Sequence, residues 1–318
     1  MKGWFHKKNI ILALCVILIY GIVQFLILTD ILPPYIALNL NLACIYIILA
    51  VSLNLINGIT GQFSIGHAGF MAIGAYISAI VTVKFQGSLL LALIAGAVAA
   101  GIAGFLVGLP TLRLKGDYLA IATLGLGEIV RVVFVNIEYV GGASGFTVPS
   151  TINWSWAFWL TALSILVIRN FTASTHGRAC ISVRENEIAA EAMGINTTKY
   201  KVLAFSIGAM FAGLAGGIYA NYMYLVHPVT FNFLKSFDIL VMVVLGGLGS
   251  LTGSVIGAVF MTFTSAALSG LQEWRLVITA VFLVALMIFR PKGLMGTKEF
   301  NLNFLGKKGE RNVASKSK

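Results

Sequence analysis

Apolar runs of about 20 residues, separated by short polar or basic links, recur along almost the whole of this sequence. A helix rising 1.5 Å per residue needs about that length to cross a hydrocarbon layer roughly 30 Å thick. Lipid offers no water to backbone amides, so each run must satisfy its own hydrogen bonds, as a helix does and a lone strand does not. The ten-residue alternation of a β-barrel wall is missing. The expected fold is therefore all-α, a polytopic transmembrane helix bundle of about 8–10 spans with some interrupted helices. Composition agrees, since the 318 residues are 58% hydrophobic and only 10% charged, against about 25% charged in ordinary globular domains. Too few charges remain to build a water-exposed surface, which sets aside a soluble enzyme, a nucleic-acid binder and a disordered regulator.

Ten candidate spans are Asn9–Leu28, Tyr35–Ile56, Gln62–Val83, Ser88–Leu109, Tyr118–Ile137, Ile152–Ile168, Val202–Val226, Phe237–Gly249, Thr252–Ser269 and Trp274–Phe289. The first follows Lys2, His6, Lys7 and Lys8 like a signal peptide. Its length and the absence of a small-x-small site at Leu28-Thr29-Asp30 predict a retained span instead. With a cytoplasmic N-terminus and ten crossings, eighteen basic residues fall inside and only Lys84, Lys235 and Arg275 outside. That asymmetry places both termini in the cytoplasm and accounts for most of the +11 net charge without nucleic acid. Trp154, Trp156, Trp159 and Trp274 open two of the spans, as an interfacial belt or as plain packing. Cys15, Cys44 and Cys180 are too few and too scattered for a disulfide framework or a metal site.

Small residues recur every fourth position in three ridges: Ala92, Gly96, Ala100, Gly104 and Gly108; Ala204, Gly208, Ala212, Gly216 and Ala220; Gly249, Gly253 and Gly257. That spacing puts them on one helix face, where backbones can approach closely in lipid. The stretches Gly66–Ala79 and Gly253–Ala266 are weakly alike. A single transmembrane domain, 1–318, is expected, with a polar internal loop at 169–201 and a basic cytoplasmic tail at 290–318.

Three groups carry candidate function. Within the loop, Ser182 and Glu185 form a capping-box pattern ahead of a helix, Val183 to Met193, that Gly194 would stop. Glu187 and Glu191 lie four apart on it, a like-charge pairing that invites a cationic partner, unless the helix is simply solvated. In the fifth run, Glu128 and Arg131 stand about ten residues from either end at three-residue spacing. They read as an intramembrane ion pair, or else as contacts for a charged solute or a gate. In the Gly58–Gly74 stretch, Gln62, Ser64 and His67 accompany glycines that can break a helix and expose amides to a solute, with Phe63, Ile65 and Phe70 as apolar wall. The alternative for His67 is a hydrogen bond to a neighbouring helix. No HExxH, GxSxG or P-loop occurs, and Asp30, Asp117 and Asp238 lie at loop edges rather than as paired membrane aspartates.

Arg184-Glu185-Asn186-Glu187-Ile188-Ala189-Ala190-Glu191-Ala192-Met193-Gly194-Ile195-Asn196, continuing to Ala212-Gly213-Leu214-Ala215-Gly216-Gly217, resembles the cytoplasmic coupling loop of ABC-importer permeases. More narrowly it is similar to the branched-chain amino-acid permeases of the LivM-like family. Gly61-Gln62-Phe63-Ser64-Ile65-Gly66-His67-Ala68-Gly69-Phe70, Gly116-Asp117-Tyr118-Leu119-Ala120-Ile121-Ala122-Thr123-Leu124 and Arg290-Pro291-Lys292-Gly293-Leu294 extend the likeness over Gly58 to Gly296. Met193 departs from the alanine usual at its position. The resemblance implies no enzyme activity and no cofactor in this chain. ATP would be bound by two cytoplasmic ATPases coupling through Arg184, Glu185, Glu187, Glu191, Ala192 and Gly194. It further implies a second related permease, a periplasmic or extracellular solute-binding protein, and residence in the bacterial cytoplasmic (inner) membrane. Leucine, isoleucine and valine are the expected solutes. Urea or a short amide, or a secondary transporter or channel, is the rival reading, and an intramembrane protease a more distant one.

Overall fold

The computed structural model describes residues 7–111, 114, 116–268, 277, 280, 281, 284 and 293–296. Helix α1 (Lys7–Leu28) leads to α2 (Pro34–Asn54), whose Pro at the first position needs no amide partner there. A π turn, Leu55–Ile59, prolongs α2 before the chain becomes irregular and then enters α3 (His67–Val83). Next come α4 (Leu89–Thr111) and α5 (Asp117–Asn136). A two-residue strand β1 (Phe146–Thr147) precedes α6 (Trp154–Ala173), α7 (Thr175–Glu185), α8 (Glu187–Ala192) and α9 (Thr197–Tyr222). Strand β2 (Leu225–Val226) pairs antiparallel with β1, and α10 (Phe233–Gly246) and α11 (Leu251–Ala267) follow.

The chain is an all-α membrane bundle. Among the described residues five helices are long and apolar enough to cross a bilayer, Pro34–Ile59, Leu89–Thr111, Asp117–Asn136, Trp154–Ala173 and Thr197–Tyr222. Three shorter apolar helices, Val16–Leu28, His67–Val83 and Leu251–Ala267, accompany them. The third candidate span begins at His67, because Gln62 to Gly66 is irregular. The tenth, Trp274–Phe289, lies outside the described residues except at 277, 280, 281 and 284.

Two small-residue ridges explain the packing. The buried face of α4 is Ala92, Leu93, Gly96, Ala100, Gly104 and Gly108, so the predicted stripe is the contact face. All five ridge residues of α9 are buried as well. Gly74 of α3, Gly96 of α4 and Gly213 of α9 meet at one junction: a Cβ on Gly74 would lie 2.1 Å from the Gly213 carbonyl, and one on Gly96 2.6 Å from the Gly74 carbonyl. With no membrane-phase hydrophobic effect between helices, such close backbone contact supplies the attraction. Polar cross-links add to it: Asn221 on α9 donates to Ser78 Oγ (2.8 Å) and accepts from Thr82 Oγ1 (2.9 Å) on α3. The third ridge is shorter than expected, since Gly253 and Gly257 lie on α11 against α10 while Gly249 precedes the helix.

Three further expectations need correction. The polar loop holds two helices, α7 and α8, instead of one. Ser182 caps neither: the chain is already helical there, started by Ser174, and Ser182 Oγ donates back to the Arg178 and Ala179 carbonyls. Asn186 is the cap of α8, accepting from the Ala189 amide at 3.0 Å. Asp238 and Lys235, read as loop residues, stand in the first two turns of α10, which starts earlier than hydropathy suggested because Asn232 caps it.

Candidate functional site

The π turn and the irregular segment after it carry the first group. The amide of Thr60 donates to the Leu55 carbonyl (3.2 Å) and that of Gln62 to the Ile56 carbonyl (3.1 Å), closing the wide turn. Asn57 then clasps Ser64, its Nδ2 donating to the Ser64 carbonyl and its Oδ1 accepting from the Ser64 amide, both at 3.2 Å. Gln62 and Ser64 turn inward, 3% and 1% exposed, while Phe63 is 42% exposed. His67 opens α3, fully buried, with Nε2 2.9 Å from Ser52 Oγ on α2.

The expectation that broken-helix amides wait for a solute fails for most of them. Ser64 N is held by Asn57, Ile65 N by Thr123 Oγ1 of α5 (3.1 Å), and Ala68 N by Ser236 Oγ of α10 (3.0 Å). Side-chain atoms are left over instead: Gln62 Oε1, Ser64 Oγ and His67 Nδ1 are buried without a hydrogen-bond partner among the described residues. Native interiors leave few polar atoms in that condition. Three such atoms fall within six residues, on a segment at a helix break. Asn54, Asn57, Thr123 and Ser236 escaped the sequence reading. The signal available was polar residues embedded in apolar runs.

The second group is the elbow of α7 and α8. Gly194, at φ +83°, ends it in the left-handed region. On α8, Ile188 is 79% and Met193 82% exposed, and Glu191, Ala192 and Gly194 are exposed beside them. Other charges point back into the chain. Glu187 Oε1 lies 2.6 Å from Lys201 Nζ on α9, so this member of the like-charge pair has an internal cation. Arg184 holds Glu185 Oε1 through Nε (3.0 Å) and Nη2 (2.5 Å), while its Nη1 donates to the Gly58 carbonyl at 2.8 Å. Gln62 Nε2 donates to the Lys201 carbonyl at 3.1 Å, bringing the first two groups together. Cys180, in the same elbow, is a buried free thiol whose pKa is raised by burial, an effect the Thr60 hydroxyl partly opposes.

Glu128 and Arg131 form the third group, apart from the elbow. Arg131 Nε donates to Glu128 Oε2 at 2.6 Å, both side chains being 28% exposed. Glu128 has a second task, accepting from the Phe233 amide at 2.8 Å and so holding the start of α10. Two residues on, Lys235 Nζ lies 2.5 Å from Tyr46 OH on α2 and 4.2 Å from that ring's centroid. Among the described residues no group of three or more His, Cys, Asp or Glu side chains could hold a metal ion.

Residues 35–290 match the family described as branched-chain amino acid transport system / permease component. The high-affinity branched-chain amino acid transport system permease protein LivM of Salmonella typhimurium is 36% identical over 292 residues, covering 80% of this chain and 68% of the relative. Its Escherichia coli counterpart is 35% identical over the same shares. The LivH permease protein of Escherichia coli is 25% identical over 296 residues, 82% of this chain and 94% of the relative. No solved structure matches the chain.

Proposed function

Because the chain belongs to the family of permease components of branched-chain amino acid transport systems, we propose that it forms one half of the membrane path of an ATP-driven importer for leucine, isoleucine and valine. It is a transport permease and not an enzyme. The second half is a related permease, a reading supported by the likeness to both LivM and LivH proteins. Two cytoplasmic ATPases bind and hydrolyse ATP, which this chain does not hold as a cofactor, and a periplasmic or extracellular binding protein delivers the solute. The complex resides in the bacterial cytoplasmic membrane with both termini of this chain inside.

The observation that carries the coupling role is the two-sidedness of the elbow. Ile188, Glu191, Ala192 and Met193 are exposed and, among the described residues, bonded to nothing across the chain, whereas Arg184, though exposed, donates to the Gly58 carbonyl and the half-buried Glu187 pairs with Lys201. Large apolar side chains displayed beside a carboxylate suit an ATPase cleft with apolar walls and a cationic rim. Glu185 and Gly194 shape this face, one by holding Arg184 and the other by ending the turn.

The path itself is assigned to Gln62, Ser64 and His67. An amino-acid zwitterion with an aliphatic side chain needs hydrogen-bonding groups at one end and apolar wall at the other, without fixed net charge. The unpartnered Oε1, Oγ and Nδ1 atoms offer the polar part, reached when the buried segment opens. ATP-dependent uptake of radiolabelled leucine, isoleucine and valine into proteoliposomes holding the whole complex tests the assignment. Uptake of all three, lost in Glu191→Lys together with ATPase retention, is the expected result. Transport of urea or a short amide in their place refutes the solute; normal retention and uptake in Glu191→Lys refutes the docking face.

A further inference from the structure

We propose that Arg184 is a positioning residue that ties the α7–α8 elbow to the π turn, so that displacement of α8 opens the Gln62–His67 segment. The inference rests on α8 being the ATPase-docking helix and adds what happens inward of it. Arg184 is the penultimate residue of α7, two residues before the Asn186 cap of α8, and so sits at the junction of the two helices. Its Nη1 reaches 2.8 Å to the carbonyl of Gly58, inside the Leu55–Ile59 turn.

The place it occupies is built for it by glycines from distant parts of the chain. A Cβ on Gly61 would stand 2.8 Å from Arg184 Cγ, and one on Gly249 would stand 3.0 Å from Arg184 Nη1. Both adopt positive φ, +74° and +89°, so any other residue would also strain the backbone. Gly58, whose carbonyl accepts from Arg184, lets Asn54 and the Gly249 amide close in behind it, since its Cβ would fall 2.0 Å from Asn54 Oδ1 and 2.4 Å from that amide. A side chain that served only an outside partner would not need one glycine cleared beside its stem and another beside its guanidinium.

A second tie ends at the other side of the same stretch. Glu187 on α8 pairs with Lys201, whose carbonyl receives Gln62 Nε2. The elbow thus holds the chain at Gly58 and at Gln62, on either side of the point where helix gives way to irregular backbone. A π turn has one residue more per ring than its α-helical neighbours and can convert locally without unwinding the helix. The unpartnered atoms beyond it lose no hydrogen bond when exposed and gain water or solute. Pulling on the two ties acts on a segment whose other bonds, from Asn57, Thr123 and Ser236, would have to give way with it.

The test uses the full reconstituted complex and reads ATP hydrolysis and solute uptake in parallel. Arg184→Met keeps an unbranched stem against Gly61 and removes the donors. It is expected to retain the ATPase subunits and hydrolyse ATP while uptake per ATP falls tenfold or more, the order expected when a hydrogen bond from a charged donor is lost. Arg184→Lys, which restores one donor without the fork, should recover part of the ratio. A wild-type ratio in Arg184→Met overturns the proposal, as does loss of the ATPase subunits from that variant, which would make Arg184 a docking residue. If Arg184→Met does not accumulate, Arg184→Lys decides: a ratio at least threefold below wild type with ATPases retained supports the tie, and a wild-type ratio overturns it. Failure of the docking reading shows separately, as normal retention in Glu191→Lys.

Discussion

Removing Glu128 should damage the fold more than removing Arg131, although the two form one pair. Glu128 accepts from Arg131 Nε at 2.6 Å and from the Phe233 amide at 2.8 Å. Glu128→Ala leaves a guanidinium without its counter-charge and a helix-start amide without an acceptor. Breaking a buried pair in this way costs about 3–5 kcal/mol, and with both side chains 28% exposed the cost should be about 3 kcal/mol. Arg131→Ala leaves Glu128 on the positive end of α10, so about 1.5 kcal/mol is expected, the loss of one charged hydrogen bond. The double substitution strands no charge and loses only the cap, about 2 kcal/mol. The sum of the singles, about 4.5 kcal/mol, exceeds that by roughly 2.5 kcal/mol, well outside the tenths that separate independent sites. Titration of the purified permease with SDS in mixed micelles, followed by helical signal, measures each free energy. Additivity within about 0.5 kcal/mol, or a larger loss for Arg131→Ala, would falsify the account of Glu128 as carrier of two bonds.

Other outcomes follow from the packing. Gly74→Val should lower folded yield several-fold in detergent size-exclusion profiles, because its Cβ would sit 2.1 Å from the Gly213 carbonyl; a monodisperse peak at wild-type yield would contradict this. Cys180, buried and with its thiol pKa raised, should resist maleimide at pH 7 in the folded chain and react after denaturation; rapid labelling of the native state would show the elbow to be open. Lys235→Met should lower the melting temperature by several degrees because Tyr46 loses its donor, while Lys84→Met, whose side chain is exposed over Tyr139, should shift it by about one degree or less.

Fold class was legible because lipid reduces the choice of backbone to almost one element, and the period-four stripes on α4 and α9 announced their own contact face. Helix limits were less legible where capping decided them. Ser182-x-x-Glu185 has the pattern of a helix start, yet Ser174 and Asn186 do the capping, because a pattern cannot say whether a helix is already under way. The site was half legible. Gln62, Ser64 and His67 stood out as polar residues among glycines, but Asn57, Thr123 and Ser236, which take up the amides between them, lie on the π turn and on two other helices. Arg184 was expected, from the family resemblance, at the face that meets an ATPase. Its inward bond depends on Gly58 and Gly249, 126 and 65 positions away by their numbers in the chain, and no local pattern records such a meeting.

The junction of Gly74, Gly96 and Gly213 bears on which parts of the molecule can move. Side chains between helices act as bearings, since they can change rotamer and let one cylinder slide or roll on another. At this junction there are none to turn: carbonyls and α-carbons meet directly, and any roll would drive backbone into backbone. Helices α3, α4 and α9 therefore travel as one rigid keel. Displacement during a transport cycle would then be taken up at their margins, where α3 follows α2 through the irregular segment 60–66 and the His67–Ser52 bond, and where α5 approaches it at Gly66, Gly69 and Gly127 and stacks Phe134 on Tyr76. An alternating-access cycle, on the reading proposed above, would rock the outer helices against this fixed middle.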